Sequence, residues 1–260
     1  MKKTIKIFAI ALSLLILMLT TACGKSDNKS TLETVKENGY ITMATNAEFS
    51  PFEFKDGTEF VGIDIEISKK IAEKLGVELK INDVSFKAVL QELTNGTCEF
   101  VAAGMSYDET RAKSADFSDP YFSASQVILV KNDSSISSAN DLEGKKIGVQ
   151  EGTTGADYCQ NIKDAEVIPF DKPVDAVIDL IAGQIDAVVV DDFPATKLAV
   201  KNSDTIKKLA DPLTEEEYSI VVAKGDTELL DVINEVIKEM KDSGELESII
   251  DSYKSELGAE

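Results

Sequence analysis

One arginine stands among twenty-six lysines, and it points more directly to a chemistry than any other side chain in the sequence. Lysine serves wherever this chain uses a generic positive charge. A lone guanidinium at Arg111 therefore marks a task that lysine performs poorly, a planar two-pronged hold on a carboxylate. An ordinary solvated surface charge is the plain alternative. The stretch around it, Ala102 to Phe122 (AAGMSYDETRAKSADFSDPYF), reads as a strand ending at Gly104, a polar turn, and a short helix capped by Asp108 that carries Arg111. Ligands in open α/β sheets gather at such C-terminal strand ends. A second candidate is the GTTG turn over 152–155, where a helix opens with free main-chain N–H groups at the positive end of its dipole. A simple helix cap is the alternative there. The third is an acid at the end of an apolar strand, in the run Asp191-Asp192-Phe193-Pro194, with an N-cap as its bland reading.

Other chemistries are excluded by what is missing. The chain has no histidine, which removes the commonest general base and the commonest metal ligand together. Its three cysteines, Cys23, Cys98 and Cys159, stand in no metal-ligand spacing, so no metal and no cofactor are expected. The net charge of −20 repels phosphate backbones and anionic lipid, which excludes nucleic acid as a partner.

The elements that must position these residues alternate between strand and helix, the pattern of an α/β protein. Strands are expected over 40–44, 77–81, 100–103, 146–149, 166–168 and 187–190. A helix over 63–75 places Ile63, Ile67, Ile71 and Leu75 on one face and ends at Gly76. Further helices are expected at 86–93, 154–161, 173–182 and 194–200, and two more close the chain, the first carrying Leu229, Ile233, Val236 and Met240 on one face. Two similar α/β blocks result, with crossings between them at 121–126 and 215–219. If the chain crosses out and back, the last helices pack on the first block, and the two crossings form a hinge beside a cleft.

The N-terminus sets the compartment. Lys2, Lys3 and Lys6 precede a thirteen-residue apolar run, Ile7 to Leu19, broken only by Ser13, and small residues then lead to Cys23. That is an export signal over 1–22, below the ~20 apolar residues of a spanning helix. Thr20-Thr21-Ala22-Cys23 resembles a bacterial lipobox, although Thr20 stands where leucine is usual. Cys23 is thus expected as a lipidated first residue, followed by a polar linker over 23–34. Losing the three lysines of the signal takes the net charge to −23, so attachment must come from lipid rather than from basic patches.

Five motifs in order resemble one family. TNAEFSPFEF (45–54), VGIDIEI (61–67), the arginine-bearing stretch, IGVQEGTTGADY (147–158) and GQIDAVVVDDFPA (183–195) are similar to the solute-binding proteins of ABC importers for polar amino acids. The likeness runs from about Tyr40 to the C-terminus. It implies a two-lobed type 2 periplasmic-binding fold, each lobe a mixed β-sheet flanked by helices, with a two-strand hinge. On that pattern the first lobe is 35–121 plus 220–260 and the second 126–214. The resemblance gives Arg111 the ligand's α-carboxylate, aided by the Ser106 hydroxyl, the backbone around Gly104, and Thr154 from the other lobe. Asp192, chosen over Asp191 by an Asp-x-Pro pattern, receives the α-ammonium. Phe49 and Phe86 sandwich the ligand side chain, with Phe52 a lesser candidate, and Asn46 and Gln150 face its tip. Two neutral groups there favour a neutral polar amino acid or cystine. The implied partners are a free L-amino acid and the permease subunits in the membrane, with the protein itself a monomer. A dehydratase using Glu48 or Glu151 as acid, and a sensor role, are the alternatives. Because a bridge between lobes would hinder opening, Cys98 and Cys159 are expected as free thiols.

Overall fold

The computed structural model describes residues 29–256. The expected export signal over 1–22 and the expected lipidation site Cys23 lie outside the described residues. Helix α1 (Thr31–Asn38) leads into β1 (Tyr40–Thr45), a meander of β2 (Glu48–Phe49), β3 (Glu53–Asp56) and β4 (Glu59–Val61), then α2 (Ile63–Leu75) and β5 (Glu78–Asp83). Next come α3 (Val89–Asn95), β6 (Phe100–Val101), β7 (Ala115–Phe117), β8 (Phe122–Ala124) and β9 (Gln126–Lys131). The second half runs β10 (Lys146–Gln150), α4 (Thr154–Gln160), β11 (Glu166–Phe170), α5 (Pro173–Ile181), β12 (Ala187–Asp191) and α6 (Asp192–Lys201). It closes with β13 (Ile206–Lys208), β14 (Glu216–Tyr218), β15 (Val221–Ala223), α7 (Thr227–Ser243) and α8 (Glu245–Glu256).

These strands form two five-stranded sheets of matching layout, β5-β1-β6-β15-β7 and β11-β10-β12-β9-β13. In each, three parallel strands meet an antiparallel one that has crossed from the other lobe: β15 returns to the first sheet and β9 enters the second. Between the lobes, β8 and β14 pair antiparallel, Ala124 opposite Glu216 and Phe122 opposite Tyr218. The C-terminal ends of β1, β6, β10 and β12 thereby point into the gap where the lobes meet.

Hydrophobic spacing explains the helices that hold the sheets. Ile63, Ile67 and Ile71 of α2 are fully buried at intervals of four, and Gly76 closes the helix in the left-handed region at φ 70°. Leu229, Ile233, Val236, Ile237 and Met240 of α7 are all buried, each contributing about 1.5–3 kcal/mol of apolar transfer. They dock the C-terminal pair of helices against α1 and α2, on the first lobe. Helix α1 starts inside the expected linker, because Ser30 and Glu33 form a capping box that fixes Thr31 as the first helical residue. Expected helix 86–93 is a 3-10 turn over Phe86–Ala88 that passes into α3. Cys98 and Cys159 are buried, unpaired, and sit in the apolar cores of different lobes; burial pushes both thiols up to about 12.

Candidate functional site

Where the lobes meet lies a small cavity of about 10 Å³, nearly closed by its own walls and lined by Phe49, Phe86, Gly104, Ser106 and Arg111 from one side and Gln150, Thr153, Thr154 and Asp191 from the other. Arg111 begins a 3-10 turn rather than an α-helix, and its N-cap position is Thr110 rather than the expected Asp108, whose Oδ1 nevertheless accepts from the Arg111 N–H at 3.2 Å. The other Asp108 oxygen stands 3.2 Å from Arg111 Nε. Only 9 % of the arginine is exposed, and burial lowers its pKa against the pull of Asp108 and more distant acids. Arg111 Nη1 donates to the Ser106 carbonyl at 2.7 Å, and Nη2 reaches across the gap to the Gly152 carbonyl at 2.9 Å. The guanidinium carbon lies 5.7 Å from the Phe86 ring centre, a cation–π contact that also fixes the ring.

The acid opposite is Asp191, not Asp192. Asp192 is the first residue of α6, and its side chain, 37 % exposed, pairs with Lys208 and accepts from Thr196 outside the cavity. The strand–helix boundary explains the difference. Side chains alternate along β12, so Asp191, its last residue, shares a face with Val189, which packs beside Gly155 next to Thr154, whereas Asp192 has already entered α6. The Asp-x-Pro pattern selected the helical neighbour. Asp191 is buried and accepts from the Tyr218 hydroxyl. Burial raises its carboxyl to about 7, and the charge of Glu216 adds to the rise, while the Tyr218 and Gln126 hydrogen bonds oppose it.

The two hydroxyls of the site already have an acceptor. Ser106 Oγ and Thr154 Oγ1 both donate to Glu216 Oε2, at 2.5 and 2.7 Å, and Thr214 Oγ1 donates to Oε1 at 2.7 Å. Gln126 Nε2 in turn donates to Thr154 Oγ1 at 3.3 Å. Thr153 lies within the GTTG turn without having been singled out, while Glu216, Gln126 and Tyr218 fall in the expected crossings, which carry no site motif. Thr153 is the N-cap of α4, its Oγ1 accepting from the Ala156 N–H.

Gly104 sits at φ +52°, and a Cβ there would stand 2.7 Å from Phe49 Cε1, so a glycine lets the ring close over the strand end. The Gly104 N–H is anchored on Asp64 Oδ2 at 2.8 Å; that buried carboxyl, raised to about 6 by burial, also accepts from Tyr121. Phe49 lines the cavity, whereas Phe52 is wholly buried among Phe122, Phe193 and Tyr218 in the core. Asn46 lies behind the wall. Its Oδ1 accepts from Gln150 Nε2 at 3.0 Å across the lobes, and its Nδ2 donates to the Val84 carbonyl. Gln150 Nε2 also donates to the Asp171 carbonyl, leaving Gln150 Oε1 without a partner among the described residues. Glu48 and Glu151 line no part of the cavity; they form ion pairs across its rim with Lys172 and Lys87.

Residues 41–256 match the bacterial extracellular solute-binding proteins, family 3. The chain belongs to this family. Among the relatives of this solute-binding protein is the arginine-binding extracellular protein ArtP of Bacillus subtilis, 34 % identical, with 88 % of this chain and 90 % of the relative covered. The ABC transporter glutamine-binding protein GlnH of the same organism is 34 % identical over 98 % of this chain and 99 % of its own. Among solved structures, the P235GK mutant of ArgBP from T. maritima superposes with a TM-score of 0.83 at 40 % identity, covering 86 % of this chain and 99 % of that one. These relatives are binding proteins, and the two-lobed type 2 fold is shared with them. No helix among the described residues of this solute-binding protein is long and apolar enough to cross a membrane.

Proposed function

We propose that this protein captures a free L-amino acid between its lobes and delivers it to the permease of an ABC importer. The observation that carries the reading is the placement of opposite charges on opposite walls of one cavity, Arg111 from the first lobe and Asp191 from the second. A zwitterion carries the complementary pair. Its carboxylate exchanges for the Gly152 carbonyl at Arg111, and its ammonium meets Asp191 beside the strand end at Gly104. Neither lobe holds both ends, so closure assembles the site, excludes water and strengthens both contacts in the lower local dielectric. The ligand favours the closed form by its differential affinity for it.

A neutral polar side chain, such as that of glutamine, or cystine, is favoured. Asp191 is the acid among the lining residues and is committed to the ammonium, while the free Gln150 Oε1 calls for a donor. L-Arginine is the second reading, favoured by the names of two relatives. Thermal shift of the mature protein against the common L-amino acids tests the function, since a ligand of the native fold raises the melting temperature by linkage. Analogues lacking either the carboxylate or the amine are expected to give no shift. A panel with no responder refutes the reading.

Anchoring through Cys23 after cleavage of 1–22, and hinge motion about 121–126 and 215–219, belong to the same proposal. Replacing Cys23 by serine is expected to release the protein from the membrane fraction; retention there refutes the anchor.

A further inference from the structure

Glu216 belongs to β14, in the hinge between the lobes, and its carboxylate is the point at which three parts of the molecule meet. Ser106 of the first lobe and Thr154 of the second donate to the same oxygen, and Thr214, just before the hinge strand, donates to the other. The side chain does not line the ligand cavity. It lines instead the neighbouring groove formed with Tyr107, Ser123, Ala124, Glu215 and Glu217. Two consequences follow from donor counting. A hydroxyl has one proton, and at Ser106 and Thr154 that proton is directed to Glu216, which leaves only lone pairs to face the cavity. The two hydroxyls also cannot share one carboxylate oxygen unless the lobes are together, because each belongs to a different lobe.

We infer that Glu216 is a latch for the closed form and a positioning residue for the site: it ties the lobes through Ser106 and Thr154 and sets both hydroxyls as acceptors toward the ligand. This rests on the proposed inter-lobe capture for its effect on affinity, but not for its effect on closure. Bonds to a carboxylate are the stronger class, and these are half-buried, so their loss shifts the open–closed balance of the ligand-free protein as well as the bound one. Because the ligand requires the closed arrangement, a smaller closed fraction lowers the apparent affinity in proportion.

The test compares Glu216→Gln and Glu216→Ala with Glu217→Gln, whose side chain is exposed on the same strand. Small-angle scattering of the ligand-free proteins reads closure; calorimetry with L-glutamine, L-arginine and L-cystine reads affinity; circular dichroism verifies that each variant folds. Both Glu216 variants are expected to show a larger radius of gyration than wild type without ligand and about tenfold weaker binding of whichever probe binds wild type. Glu217→Gln should match wild type in both. An unchanged ligand-free radius in the Glu216 variants overturns the latch, and so does an unchanged affinity beside a larger radius. If none of the three probes binds wild type, the proposed ligand class fails, and the scattering comparison alone decides the latch.

Discussion

Ligand binding should depend steeply on pH, and in a direction fixed by Asp191. In the ligand-free protein burial holds this carboxyl at about 7, so near neutrality it is only half ionised. An arriving ammonium stabilises the carboxylate and pulls that value down, so binding is coupled to proton release below about pH 7. Affinity therefore rises with pH and levels off above the ligand-free value. At about pH 5 roughly one molecule in a hundred carries the charge, which predicts a Kd about 100-fold weaker than the plateau, or about 2.7 kcal/mol. The ligand's own carboxylate and ammonium keep their charges throughout this window, so the slope belongs to the protein. Calorimetry in two buffers of different ionisation heat at about pH 6 should register close to one proton released per ligand. The same raised value makes a second, opposite statement about the protein alone. Folded Asp191 binds a proton that the unfolded chain has lost between about pH 4 and pH 7, so its contribution to ligand-free stability falls as pH rises through that range. Asp191→Asn should therefore melt higher than wild type above pH 7, by at most about 4 kcal/mol, and similarly to it near pH 4. A Kd that is flat between about pH 5 and 8, or wild-type affinity in Asp191→Asn, would refute the assignment.

Arg111→Lys keeps the charge but loses the planar fork that reaches both Ser106 and Gly152; a roughly thirtyfold rise in Kd, about 2 kcal/mol, is expected by calorimetry. Asp192→Asn removes only a partly exposed pair with Lys208, worth about 0–1 kcal/mol, so titration should give wild-type affinity within about twofold. Gly104→Ala must fit a side chain at φ +52° against Phe49, at a cost of about 1–3 kcal/mol; differential scanning calorimetry should show a melting temperature lower by several degrees.

The fold was legible because its signals are local and repeated. The four-residue spacing of Ile63, Ile67 and Ile71 defines α2, Gly76 ends it where expected, and the Leu229–Met240 face fixes α7. The short antiparallel pieces were not legible. Strands β2, β3 and β4 span two to four residues, too few for a period to show, and β7 and β13 are held by partners far along the chain. At the site, the residues with unusual chemistry or turn geometry were found: Arg111, Gly104, Thr154 and Phe49 all reach the cavity. The misses have one physical origin. Asp191 ends β12 while Asp192 opens α6, a boundary that two adjacent acids do not reveal, and Glu216 is one acid in the run Glu215-Glu216-Glu217, distinguished by which way β14 presents it. Side-chain direction at a strand end follows from register, which composition and motif do not carry.

An acidic chain split into two lobes must close against its own repulsion, and the rim shows how that cost is met. Lys87 of the first lobe pairs with Glu151 of the second at 2.7 Å and approaches Asp171 at 3.8 Å. In the reverse direction, Lys172 of the second lobe reaches Glu48 of the first at 2.5 Å, and Lys197 donates to Ser50 at 2.6 Å. The lobes approach closely enough there that a Cβ on Gly152 would stand 3.3 Å from the Lys87 backbone. These partners are between a third and two thirds exposed, so each pair contributes at most about 1 kcal/mol and less in salt. They offset repulsion without holding the protein shut. The interior contacts carry more weight, because Arg111 on the Gly152 carbonyl, Gln150 on Asn46 and the hydroxyls on Glu216 are shielded from water. Of these, only the arginine contact uses a full charge on a neutral carbonyl, so it is the one a ligand carboxylate improves most. A ligand that improves the Arg111 contact while neutralising the strained charge of Asp191 gains at both ends of the cavity in the closed form alone. Capture and closure are then one equilibrium, and the selectivity for a zwitterion follows from the requirement that both gains be made together.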